Sequence, residues 1–259
     1  NCTGGKVLTG NSCGGKYEKC IEPLQYLYSD RTLSAEIIPG KSVIGIAVDP
    51  ENRLAVAIDY IMTTGWGGYG IDIPTLENTP SSGAGIYVRG ERDSYLIRDG
   101  KANTAKILAY GRSNGIPYPA AEAAYNYQPG SCSSSSWCGR GNWYLPSNWQ
   151  VFPYFDNRAT IHLMLKAINK MPDDWWYTRN DFYTVTSNEI NAKESGFIYI
   201  NTGGMAHGGK NLTEPDNLQT LVLPYILTYR PRRIIRGLFY ISIMKHSQFS
   251  NLCSSPNMA

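Results

Sequence analysis

The run Gly141-Asn142-Trp143-Tyr144-Leu145-Pro146-Ser147-Asn148-Trp149 decides how the rest of this chain is read. Three large aromatics and a leucine surround one proline, whose ring fixes its own φ and holds Leu145 extended. Such a segment buries apolar area without being a regular strand, and aromatics at this density belong to a core more often than to a ligand cage. The expectation is a filled hydrophobic corner to which the flanking elements attach.

Downstream, residues 156–170 form the clearest predicted helix, because Ile161, Met164, Leu165 and Ile168 recur at three- and four-residue spacing. His162 stands beside that stripe without a partner at ligand spacing, which makes it a surface or hydrogen-bonded residue rather than a metal ligand. Beyond Pro172, residues 175–177, 182–189 and 196–201 are β-prone runs separated by polar turns. The glycine-rich stretch 203–209 lacks the strand-to-helix context of a phosphate loop and reads as a flexible loop.

Upstream, residues 119–127 are a short run of helix formers leading into a serine-rich loop between Cys132 and Cys138. Asp99-Gly100-Lys101-Ala102-Asn103-Thr104-Ala105 opens a helix running to about Tyr110, with Asp99 as a capping residue. Residues 42–48 and 53–59 are β-branched runs on either side of Asp49-Pro50-Glu51-Asn52, a hairpin signal with a proline turn. Between the hairpin and the helix, residues 63–100 show no periodicity and carry isolated aromatics, among them Trp66 and Tyr69; binding surfaces often lie in such long irregular stretches.

The Gly-x-Trp-Tyr-Leu-Pro-Ser run followed by Trp resembles the signature of the Lcl C-terminal domain-like family, whose fold is C-type-lectin-like and related to formylglycine-generating enzymes and retroelement variable proteins. Ile44-Gly45-Ile46-Ala47-Val48 with Arg53-Leu54-Ala55-Val56-Ala57 is similar to that family's opening strand pair. Trp66-Gly67-Gly68-Tyr69-Gly70-Ile71-Asp72 is similar to the segment after it, and Thr186-Ser187-Asn188-Glu189 to a later Ser-Ser-Thr-Glu run. The resemblance implies an α+β domain with short antiparallel sheets, two or more helices and long irregular loops. Glu214-Pro215-Asp216-Asn217 is similar to the calcium triplet of sugar-binding lectins, yet the downstream Trp-Asn-Asp is missing, so a polar loop is expected and no metal or other cofactor is assigned. A formylglycine-type oxidase needs two neighbouring cysteines late in the domain, and only Cys253 stands there.

A net charge of +3 with 17% charged residues is too mild for an electrostatic nucleic-acid binder. The 19 Tyr, 6 Trp and 26 Gly match instead the composition of exposed binding surfaces. Cys2, Cys13, Cys20, Cys132, Cys138 and Cys253 show no paired zinc spacing, which favours disulfides in an oxidising compartment. Cys132 to Cys138 is the natural local bridge, and the other four cysteines leave three pairings open. His162, His207 and His246 lie in no His-Glu-x-x-His frame, and no Gly-x-Ser-x-Gly elbow occurs, so no catalytic residue is assigned. With no apolar run near the length of a membrane span and no signal peptide, the chain reads as a mature secreted or surface form.

The expected organisation is a cystine-rich segment at 1–36, a C-type-lectin-like domain at 37–229 and a strand and tail at 230–259. The expected role is non-enzymatic binding or adhesion to a polysaccharide, matrix or protein ligand, with Trp66, Tyr69, Trp175, Trp176 and Tyr177 as contact residues. The alternative is a self-associating subunit of an extracellular filament, because four arginines at 230–236 precede the β-prone run 238–244, a candidate edge strand.

Overall fold

The structure, a computed structural model, describes residues 7–9, 19–21, 23–50, 52–63, 65–79, 86–87, 99–170, 183–199, 205–211, 220–222 and 224–226. The chain divides into one unit formed by Asn1–Pro23 with Arg230–Ala259 and a second spanning Leu24–Tyr229. In the first, β1 (Val7–Thr9) pairs antiparallel with β2 (Lys19–Ile21). The second holds the remaining elements. Ahead of residue 37, β3 (Gln25–Tyr28) and β4 (Leu33–Ser34) belong to its first sheet, and Tyr26, Leu27 and Tyr28 are buried.

That first sheet has the order β4-β3-β5-β6-β14-β9, with β5 at Val43–Asp49, β6 at Leu54–Ala57, β9 at Trp143–Tyr144 and β14 at Tyr225–Ile226. The expected hairpin is β5–β6. Along β6 the side chains alternate: Leu54 and Val56 face a core shared with Phe152, Phe155 and Ile161, while Ala55 and Ala57 face Trp143, Tyr127 and the two cysteines. Both faces of the sheet are therefore covered, so all four β6 residues are buried despite the two-residue period. Leu27 pairs with Gly45 and Tyr28 with Val43, which leaves Ile44 as the extra residue of a bulge.

The second sheet has the order β7-β13-β10-β11-β12-β8, from β7 (Ile61–Thr63), β8 (Ile86–Tyr87), β10 (Tyr183–Glu189), β11 (Glu194–Tyr199), β12 (Met205–Gly209) and β13 (Thr220–Val222). Its pairings are antiparallel except β10 with β13. Here the glycine-rich stretch corrects its reading as a loop: residues 205–209 form β12, in register with β11 from Ile198 opposite Met205 to Glu194 opposite Gly209. Glycine carries no side-chain signature of a strand, and the ladders with β11 and β8 impose one.

Helix α1 (Gly100–Asn114) is capped by Asp99, whose side chain accepts the Ala102 N–H, and ends at Gly115 in the left-handed region. That cap carries it past the expected end near Tyr110. Helix α2 (Pro119–Asn126) follows, with proline in its first turn. The helix expected over 156–170 is α4 (Arg158–Ala167), while Asp156 closes a separate helix, α3 (Asn148–Asp156), that runs on from the aromatic run. His162 lies buried on α4, and Met164 O on that helix accepts from Tyr26 Oη of β3 at 3.1 Å.

Candidate functional site

The opening run becomes the junction of both sheets and two helices. Trp143, Tyr144 and Leu145 are almost wholly buried, and Trp143 meets Tyr127 edge to face at 4.9 Å. Pro146 fixes the turn out of β9, and Ser147 then caps α3 in a reciprocal box with Gln150. Gln150 Oε1 accepts from Ser147 N at 3.0 Å and from Gly100 N at 3.1 Å, so one carboxamide joins the starts of α3 and α1. Thr104 of α1 takes the Leu145 N–H at 3.0 Å.

From this junction hydrogen bonds run into β10. Pro146 O accepts from Ser187 N at 2.7 Å, Asn188 Oδ1 accepts from Asn148 N at 2.8 Å, and Asn103 Nδ2 donates to Ser187 Oγ at 3.2 Å. Asn188 Nδ2 reaches Thr79 Oγ1 at 2.8 Å, and Thr186 Oγ1 donates to Gly196 O at 3.0 Å. The Thr186-Ser187-Asn188-Glu189 run is thus a buried polar strand, held from both sides by the elements it orders.

Its last member is one half of a buried ion pair. Glu189 and Lys210 are fully buried and ion-paired; Glu189 Oε2 also accepts from Ile73 N at 3.1 Å, and Lys210 Nζ donates to Ile71 O at 2.6 Å. Lys210 lies 4.9 Å from the centre of the Trp66 ring. Burial pushes the Glu189 carboxyl up and the Lys210 ammonium down, while each partner pulls the other back toward its ionised form. A pair of this kind fixes which segments meet, since its Coulomb energy largely offsets the loss of hydration. Lys210 was missed in the sequence because it follows two glycines in a stretch with no periodic pattern.

The predicted contact residues separate. Trp66 is 2% exposed, donates from Nε1 to Thr186 O at 2.8 Å and packs edge to face on Tyr118, so its ring lies inside the core. Tyr69 is 51% exposed on the glycine loop that follows, held at Gly70 by a 2.8 Å bond from its N–H to Ala192 O. Trp175, Trp176 and Tyr177 lie outside the described residues, as do the Glu214–Asn217 loop, the tail run 238–244 and the side chains of Cys2, Cys13, Cys20 and Cys253.

Cys132 and Cys138 form the expected bridge, with Cα atoms 5.7 Å apart. The loop it closes is pinned to the turn between β3 and β4, where Trp137 Nε1 donates to Ser29 O at 2.8 Å and the Arg31 guanidinium lies 5.0 Å from the Trp137 ring. Such a bond fits folding in an oxidising compartment. Among the described residues no three His, Cys, Asp or Glu side chains gather as a metal-binding group, and no helix is long and apolar enough to cross a membrane. His207 Nδ1 pairs with Glu194 across β11 and β12 at 3.1 Å.

No protein-family model and no curated protein match the chain. Among solved structures its fold is similar to that of a fimbrial protein from Bacteroides ovatus ATCC 8483, with a TM-score of 0.50, 14% identity and coverage of 78% of this chain. The match takes in 48% of that protein, so this chain spans about half its length.

Proposed function

We propose that this protein is a non-enzymatic subunit of an extracellular, fimbria-like filament, built on a C-type-lectin-like body. The observation that carries the reading is the likeness of fold to a fimbrial protein over 78% of the chain. The disulfide-pinned loop agrees with life outside the cytoplasm. The strands at the ends of the two sheets, β4, β9, β7 and β8, are only two or three residues long and offer little backbone for edge-to-edge pairing. The β-prone run at 238–244 behind its arginines is the segment we assign to contact between subunits. In light scattering over a dilution series the protein associates, and the Ile241→Lys/Ile243→Lys variant, which puts two charges into that apolar run, stays monomeric. A wild-type protein that is monomeric at every concentration and shows no filaments by electron microscopy would overturn the proposal.

The second reading is a surface-binding protein that takes a polysaccharide, matrix or protein ligand, and Tyr69 favours it. An aromatic ring left half exposed on a loop braced by glycines is the kind of rigid contact that binding surfaces use. Tyr69→Ala then abolishes retention on glycan or matrix arrays without changing the thermal midpoint; equal retention by the variant rules Tyr69 out.

A further inference from the structure

Between α1, α2 and the loop that follows the disulfide lies a cleft of about 180 Å³. Leu108, Gly111 and the buried ring of Tyr118 line its inner side, and Arg112, Glu122 and Arg140 its polar side. Arg112 projects from the last turn of α1 with its guanidinium 5.5 Å from the centre of the Tyr125 ring. Arg140 comes from the segment after the disulfide, two residues past Cys138; that segment is fastened to α2 where Gly141 N donates to Tyr125 O at 2.8 Å. Arg140 Nε donates to Asn126 Oδ1 at 2.7 Å, a bond that leaves its two terminal nitrogens to donate elsewhere.

Among the described residues neither guanidinium is ion-paired with a carboxylate, although Glu122 lines the same cleft. Glu122 is engaged differently: its Oε1 accepts from Tyr118 N at 3.1 Å. The cleft thus offers two planar cationic forks suited to a carboxylate, one carboxylate acceptor beside them, and apolar and aromatic surface beneath.

We propose that this cleft binds an acidic sugar, with its carboxylate on Arg112 and Arg140 and a hydroxyl donating to Glu122. The anion alone could be supplied by an acidic peptide or a phosphate. Glu122 weighs against both, because it repels negative charge beyond the single carboxylate that the two arginines balance and supplies the acceptor that a sugar hydroxyl needs. The volume suits a single sugar ring, so the unit recognised is a terminal or branching residue of a glycan. The inference does not depend on whether the protein polymerises.

Isothermal titration of the full chain with glucuronate and with N-acetylneuraminate tests the proposal and separates the two sources of a sugar carboxylate. Saturable binding of at least one is expected, with glucose and acetate binding far more weakly. The exposed positions make Arg112→Gln and Arg140→Gln variants that fold normally, and each weakens binding about tenfold or more, the effect of losing a charge-assisted hydrogen bond. Glu122→Gln, which keeps the oxygen that accepts from Tyr118 N, weakens the sugar but not acetate. No saturable binding of either sugar overturns the proposal, as does unchanged affinity in both arginine variants, acetate binding as tightly as the sugars, or binding of a glutamate-rich peptide in their place.

Discussion

Gly100 shows how a single residue serves the junction. A Cβ at this position would stand 2.5 Å from Ser147 N and 2.7 Å from Leu145 O, both backbone atoms that cannot rotate away. The close approach is what lets Gln150 Oε1 reach the starts of two helices at once. Gly100→Ala is therefore expected to destabilise the protein by about 1–3 kcal/mol, the usual cost of overpacking a tight contact. A denaturant midpoint unchanged from wild type would show that α1 shifts freely against α3. The capping role of Asp99 was legible from its place before a run of helix formers. The need for glycine next to it was not, because the atoms it avoids lie more than forty residues away.

At the scale of elements, the pairing of β10 with the segment after β12 rests on Glu189 and Lys210. Lys210→Met leaves a buried carboxylate with one backbone donor and is expected to cost roughly 3–5 kcal/mol, whereas adding Glu189→Gln removes the stranded charge and recovers most of that loss. Chemical denaturation of the two single variants and the double variant checks this; purely additive losses would mean that the two groups are not coupled. The hairpin β5–β6 and helices α1 and α4 were legible because their signals are periodic and local: β-branched runs around a proline turn, a capping aspartate before helix formers, and apolar spacing. Strand β12 was not, since its glycines become a strand only against β11.

Across the whole molecule, tyrosines tie the layers together. Tyr118 is pushed up to about 12 by burial, with Glu189 and Tyr110 adding to the shift. Burial also raises Tyr127, aided by Asp59, raises Tyr144, aided by Asp99, and raises Tyr225, aided by Tyr154 and Tyr144. A phenol raised in the folded state contributes stability that is complete below its ordinary value of 10.0 and is lost as pH climbs through the folded value. The protein is therefore expected to hold its stability up to about pH 10 and to lose it steeply above that, with the buried tyrosinates appearing only as the fold opens. Tyrosinate absorbance followed beside circular dichroism tests this: full ionisation of all tyrosines in a still-folded protein would contradict it.

Sequence alone determined what depends on neighbours along the chain: the hairpin, the Asp99 cap, the aromatic corner around Pro146 and the bridge between two cysteines six residues apart. Tertiary structure decided the rest. It drew Trp66 into the core and left Tyr69 outside, turned a glycine run into a strand, buried Lys210 against Glu189, and set Arg112 and Arg140 around one cleft. The physical reason is that burial and charge pairing belong to groups distant in sequence, whose meeting is fixed only when both sheets and their helices pack together.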